Sequence, residues 1–125
     1  MLRGYKKQFG EKGENEACDY LSRHGYQIVE RNFRTRNGEI DIIAIDKAEK
    51  PPALCFIEVK SRFSDEYGDP LEAITYFKLR ALIRTAQFYI LSHPKLPQLL
   101  RLDAIAVTMD HMGNLRDLKL VKNLN

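Results

Sequence analysis

Asp41, Glu58 and Lys60 have side chains suited to work together on one substrate group. Two carboxylates brought opposite one another across a strand pair repel and destabilise it. A divalent cation between them reverses the sign. Mg²⁺ is a hard cation that takes oxygen ligands, often one or two carboxylates completed by water and substrate phosphates. A lysine beside such a pair can stabilise charge on a phosphate or help generate hydroxide. The plainer alternative is a surface Glu58–Lys60 pair with Asp41 solvated nearby.

For the three to meet, the chain from Glu39 to Lys60 must fold as a hairpin. The arms are Gly38-Glu39-Ile40-Asp41-Ile42-Ile43-Ala44-Ile45 and Ala53-Leu54-Cys55-Phe56-Ile57-Glu58-Val59-Lys60. Both are rich in Ile, Val and Phe, which suit a pleated, half-buried surface. The charged, proline-broken segment 46–52 between them is a loop. Strand side chains alternate faces, so Glu39, Asp41, Ile43 and Ile45 share one face of the first arm. Leu54, Phe56, Glu58 and Lys60 share one face of the second. Folding about the middle sets Ile45 opposite Leu54, Ile43 opposite Phe56 and Asp41 opposite Glu58. The closed end of this face is then apolar, and the open end holds two carboxylates and a lysine. A one-residue slip would part them. Ile40, Ile42 and Ala44, with Cys55, Ile57 and Val59, make the other face apolar as well, so the sheet needs cover on both sides.

Two helices are expected to supply that cover. From about Phe9 to His24, Glu14, Ala17, Cys18 and Leu21 fall on one helical stripe, and Gly25 is a stop. Glu14 is the odd member. It either emerges at the rim of the core toward the sheet or serves as a favourable charge in a first turn. Glu11 and Glu16 lie off the stripe and should be solvated. Asp69, Pro70 and Glu72 predict the start of the second helix: a cap, a first-position proline and a capping-box acid. Its expected inward stripe is Ile74, Phe77, Ala81, Thr85, Phe88 and Tyr89, and it ends at His93-Pro94. Lys78, near its start, is placed to reach the cleft, whereas Arg80 and Arg84 should solvate an outer face.

Further strands are expected over Tyr26–Arg34, Arg101–Val107 and Leu115–Val121. The first leads through Arg31, Arg34 and Arg36 into an Asn37-Gly38 turn. Arginine forks suit phosphate. Arg34, Arg36, Arg62 and Lys78 are therefore candidate phosphate contacts, or, for any one of them, a solvated charge. Asp103 is either a further acidic group or the partner of a nearby arginine.

Composition narrows the class. The chain has 125 residues, 44% hydrophobic and 30% charged, which fits a soluble globular protein with a single domain over residues 1–125. A net charge of +3 is a weak pointer to an anionic partner. Cys18 and Cys55 lie far apart without a C-x-x-C, predicting reduced thiols in the cytoplasm. No apolar run is long enough to span a membrane, and the first residues lack the apolar region of a signal peptide. His24, His93 and His111 show no metal-ligand spacing. Neither a phosphate-binding glycine loop nor a G-x-S-x-G elbow is present.

Gly10-x-x-Gly13-Glu14-x-x-Ala17, Arg31-Asn32-Phe33-Arg34, Gly38-Glu39-Ile40-Asp41-Ile42-Ile43-Ala44 and Phe56-Ile57-Glu58-Val59-Lys60-x-Arg62 resemble the YraN family. Lys78 and Arg101-Leu102-Asp103 also fit, and the resemblance covers nearly the whole chain. That family is similar to the PD-(D/E)XK nucleases and to archaeal Holliday-junction resolvases. The resemblance implies an α/β, restriction-endonuclease-like core, a mixed sheet flanked by helices in the order α-β-β-β-α-β-β. It implies that Asp41, Glu58 and Lys60 are the catalytic signature, with Glu14 matching an acid that the resolvase-like branch carries on its first helix. Ile40 departs from the superfamily pattern, where a proline often precedes the aspartate, but that proline does no chemistry.

The expected function is Mg²⁺-dependent cleavage of phosphodiester bonds in nucleic acid, DNA favoured, with branched or junction DNA as one substrate class. Asp41 and Glu58 would hold the metal, Glu14 assisting, and Mn²⁺ would substitute. A homodimer follows only by fold-level analogy with the resolvases. The alternative is a non-catalytic nucleic-acid-binding module of the same fold, in which carboxylates would hinder phosphate binding. A third reading is a protein-interaction domain with a coincidental charge cluster.

Overall fold

Runs of β-branched and aromatic residues build five strands here, and two amphipathic helices cover them. The computed structural model describes residues 2–125, with side chains from residue 7 onward. In chain order the elements are α1 (Leu2–Arg23), β1 (Tyr26–Thr35), β2 (Gly38–Asp46), β3 (Ala53–Phe63), a short 3₁₀ turn (Pro70–Ala73), α2 (Tyr76–Ser92), β4 (Leu99–Met109) and β5 (Leu115–Val121). The fold is α/β in the expected order. The sheet runs β1-β2-β3-β4-β5, with β3 and β4 parallel and every other neighbouring pair antiparallel. A parallel pair needs a crossover, and α2 provides it. No described helix is long and apolar enough to cross a membrane.

The helices cover opposite faces. Under α1, Ala17 and Leu21 pack with Ile42, Ala44, Cys55, Ile57, Ile105 and Val107. Under α2, Leu82, Ala86 and Tyr89 pack with Ile40, Ile43, Leu54, Phe56 and Leu102. The hairpin register is as predicted: Ile45 pairs with Leu54 and Ile43 with Phe56. The β2–β3 ladder ends at Ile42–Ile57, so the expected pairing of Asp41 directly opposite Glu58 is not made: Asp41 lies one step past the last pair.

Four further expectations need correction. Ile40 does not share a face with Ile42 and Ala44; it packs under α2 with Ile43. The alternation of β2 thus breaks between Ile40 and Ile42, and burial against the α2 cluster holds Ile40 on its side. On β1, Asn32 adopts a left-handed backbone, φ 56°, between the pairs Arg31–Ile42 and Phe33–Ile40.

The second helix starts later than expected. Asp69 caps only the 3₁₀ turn, its Oδ1 accepting from the Leu71 amide at 2.9 Å. Thr75 caps α2, its Oγ1 accepting from the Lys78 amide at 3.2 Å. The inward face of α2 is also rotated in part. Thr85 and Tyr89 of the expected stripe are buried, but Leu82 and Ala86 join them in place of Phe77 and Phe88, which are exposed. Tyr89 sets its ring edge-on to Phe33 and Phe56 and donates its hydroxyl to Glu30 at 3.1 Å, and Leu82 and Ala86 pack beside it in the same cluster. At the other end of the chain α1 begins at Leu2, earlier than the stripe suggests.

Candidate active site

Past the end of the β2–β3 ladder, β3 runs on with its partner at β4 alone. Glu58 and Lys60 continue the face of Leu54 and Phe56, so they line a cleft beneath α2. The cleft measures about 210 Å³, and its walls are Gly38, Glu39, Glu58, Lys60, Lys78, Ala81 and Leu82. Lys60 Nζ stands 3.9 Å from Glu58 Oε1, both side chains largely buried.

Asp41 reaches the same place from β2. Its Oδ2 accepts the Val59 amide of β3 at 2.8 Å. A backbone N–H left free where two strands part is an obligatory donor, and the Asp41 carboxylate takes it. This anchors Asp41 beside Glu58. Burial, then the hydrogen bond and charge of Asp41, push the Glu58 carboxyl up to about 8, against the opposing pull of Lys60. One lysine is too little compensation for two carboxylates in this setting.

Glu14 arrives from the other layer. Helix α1 crosses β3 tightly at Gly13, where a Cβ would stand 1.9 Å from Ser61 Oγ and 3.0 Å from Ser61 Cβ. Glu14 Oε1 accepts from Arg31 Nε at 3.2 Å, and Arg31 Nη2 donates to Asn15 Oδ1 at 2.8 Å. Burial raises the Glu14 pKa; the Arg31 hydrogen bond opposes this, while the charge of Asp41 adds to it. Glu14 therefore senses Asp41 without being a wall of the cleft. Among the described residues, no group of three His, Cys, Asp or Glu side chains forms a ready-made metal cage. Asp41 and Glu58 nonetheless fit Mg²⁺, which commonly keeps its waters and takes only one or two carboxylates. The proton on Glu58 is one that a bound cation would displace.

The basic candidates separate. Lys78 lines the cleft. Arg34 is exposed and pairs with Glu39, Nε to Oε1 at 3.4 Å. Arg36 is exposed in the β1–β2 turn. Arg62 faces a different cavity, with Asp69, Thr108, Asp117 and Lys119. It donates to Thr108 Oγ1 at 3.3 Å and to the Gly68 carbonyl, so it ties down the loop before the 3₁₀ turn. Two participants carried sequence signals that did not mark them for the site. Glu39 lies on the alternating face of Asp41 in the sequence, and Arg31 belongs to the basic run that precedes the turn.

A profile described as "Uncharacterised protein family UPF0102" matches residues 13–107. A UPF0102 protein of Clostridium acetobutylicum is 44% identical over 117 residues, covering 94% of this chain and 93% of its own. One from Clostridium botulinum is 45% identical over 120 residues, with the same two coverages of 94% and 93%. One from Persephonella marina is 41% identical over 108 residues, covering 86% of this chain and 90% of its own. The profile match takes in Glu14, Asp41, Glu58, Lys60, the second half of α1 and all of α2, so this chain belongs to the UPF0102 family, also called the YraN family.

Proposed function

We propose that this protein is a Mg²⁺-dependent nuclease acting on phosphodiester bonds in DNA. The observation that carries the reading is the Asp41–Glu58 contact, two largely enclosed carboxylates with a single lysine beside them at the mouth of a cleft. A protein gains nothing from such a pair unless something positive joins it. Asp41 and Glu58 would hold the cation, and the Val59 N–H orients the Asp41 carboxylate for it. When bound, Mg²⁺ supplies Lewis acidity toward a phosphate and toward water. Lys60 places an ammonium where charge develops on the attacked phosphate. Lys78 and the exposed Arg34 and Arg36 offer charge to flanking phosphates, which position a strand without reading its sequence. Glu14 acts from the rim through its charge.

Calorimetric titration with Mn²⁺ tests this directly. Wild type should bind Mn²⁺ at neutral pH with release of a proton, since the ligand must deprotonate. Asp41→Asn and Glu58→Gln should each weaken binding by about tenfold or more while the protein stays folded. Unchanged affinity in Asp41→Asn contradicts the site. The lack of a ready three-ligand cage favours one second reading, a binding module of the same family that holds DNA without cleaving it.

A further inference from the structure

The outer face of α2 is apolar where a helix of its kind should be polar. Phe77, Ala81, Arg84, Phe88 and Leu91 follow one another at spacings of four, three, four and three, so they form a continuous row. Phe77 is 81% exposed, Phe88 56% and Leu91 82%. At the head of the row Tyr76 is 66% exposed, and the Arg80 guanidinium lies 5.8 Å above its ring. The row is about 21 Å long at the rise of an α-helix. The charge of α2 has one sign: it carries Lys78, Arg80 and Arg84 and neither Asp nor Glu. Ala81 belongs both to this row and to the wall of the cleft that holds Glu58 and Lys60.

We propose that this row is a stacking strip for single-stranded nucleic acid, which makes the substrate of the adjoining cleft a nucleic acid with an unpaired segment. The proposal deepens the nuclease reading and rests on it. Exposed rings interleaved with cations are what an unpaired strand needs, since its bases present free faces and its backbone is anionic. A paired duplex has no free base faces along its length to offer Phe77 and Phe88. A second copy of the chain fits poorly. A two-fold contact sets the row against itself, which brings together two helices that each carry Lys78, Arg80 and Arg84 with no acid on α2 to offset them.

Fluorescence anisotropy of the full chain in EDTA tests the strip, with labelled oligodeoxyuridine, labelled oligouridine and a labelled blunt-ended duplex of two strands. Wild type should prefer a single strand to the duplex. Phe77→Ala and Phe88→Ala should each weaken single-strand binding by about tenfold, with duplex binding changed by less than about twofold. Phe88→Leu keeps an apolar side chain but should also lose affinity, because the ring is gone. Arg84→Gln should lower the slope of log affinity against log salt by about 0.7. These side chains are exposed, so unchanged melting temperatures establish that the variants are folded. The tighter-binding of the two single strands identifies the sugar, and the losses should fall on it. Equal losses on strand and duplex, or no loss, would overturn the proposal. So would a wild-type dimer in sedimentation that Phe88→Ala dissociates. Because binding is read without metal, single-strand preference without cleavage would sink the nuclease reading and leave the strip standing.

Discussion

Glu58 is held in a state that costs stability when it ionises, and that gives a pH test. Its folded pKa is raised from 4.5 to about 8, first by burial and then by Asp41. A raised carboxyl pKa means the favourable protonated state is fully present below the unfolded value. It is lost as pH climbs through the folded value. Glu58→Gln keeps a neutral side chain at every pH. In EDTA it should therefore match wild type near about pH 5 and exceed it near about pH 9, by up to about 4 kcal/mol. Denaturant melts at the two pH values check this, and an equal difference at both would contradict the raised pKa of Glu58. The register of the apolar part of the hairpin, Ile45 with Leu54 and Ile43 with Phe56, was legible in the sequence, because one slip would bury the wrong set. The ladder stops short of Asp41, which meets Val59 through its side chain instead. The turn of Ile40 to the other face was not legible. An isoleucine can be buried under either helix, and its packing with Ile43, Leu54 and Phe56 beneath α2 decides which.

Helix α2 shows the limit of periodicity. Phe77, Ala81 and Phe88 obey helical spacing as well as Leu82, Ala86 and Tyr89 do, so the pattern allows two inward faces. Tertiary partners decide between them: Leu82 and Ala86 pack with Tyr89 against Ile40, Ile43, Leu54, Phe56 and Leu102. The start of the helix misleads for a related reason. Asp69-Pro70 is a sound capping signal, but it serves a 3₁₀ turn, and Thr75 supplies a second cap. The orientation can be checked by stability alone. Leu82→Ala should cost about 2–5 kcal/mol because it opens a cavity in the core, whereas Phe88→Ser should stay within about 0.5 kcal/mol. Urea titrations of both variants decide the matter, and the reverse order of losses would mean that the helix is rotated.

The molecule buries acids at both ends of its sheet and treats them differently. Near the closed end of the hairpin, Arg101 Nη1 lies 3.0 Å from Asp46 Oδ2 and Nη2 lies 2.9 Å from Asp103 Oδ2. The same guanidinium donates to the Tyr26 hydroxyl at 2.8 Å, and Lys122 Nζ stands 3.8 Å from Asp46. Burial pushes Asp46 up, but the Arg101 hydrogen bond and its neighbours hold the carboxyl below its usual range. The pairing of Asp103 with a nearby arginine was one of the two readings its sequence position allowed. Removing that arginine strands two buried carboxylates, so Arg101→Ala should destabilise the fold by about 3–5 kcal/mol. Thermal or urea unfolding of this variant measures the loss, and a neutral result would mean the acids are solvated. At the opposite end Lys60 is the cation paired with Glu58, beside Asp41, and that weaker compensation sets the proposed site apart from the Arg101 cluster.

The most direct measurement is cleavage of end-labelled linear, flapped and four-way DNAs with Mg²⁺, with Mn²⁺ and in EDTA, by wild type and Lys60→Met. The methionine keeps the aliphatic stem of Lys60 and deletes its charge. Wild type should cut at least one substrate in the presence of metal and none in EDTA. Lys60→Met should retain DNA and Mn²⁺ affinity yet lose on the order of 10²–10³ in rate, in kcat more than in KM. Wild type that binds both Mn²⁺ and DNA and cuts none of these substrates would contradict a nuclease at Asp41, Glu58 and Lys60.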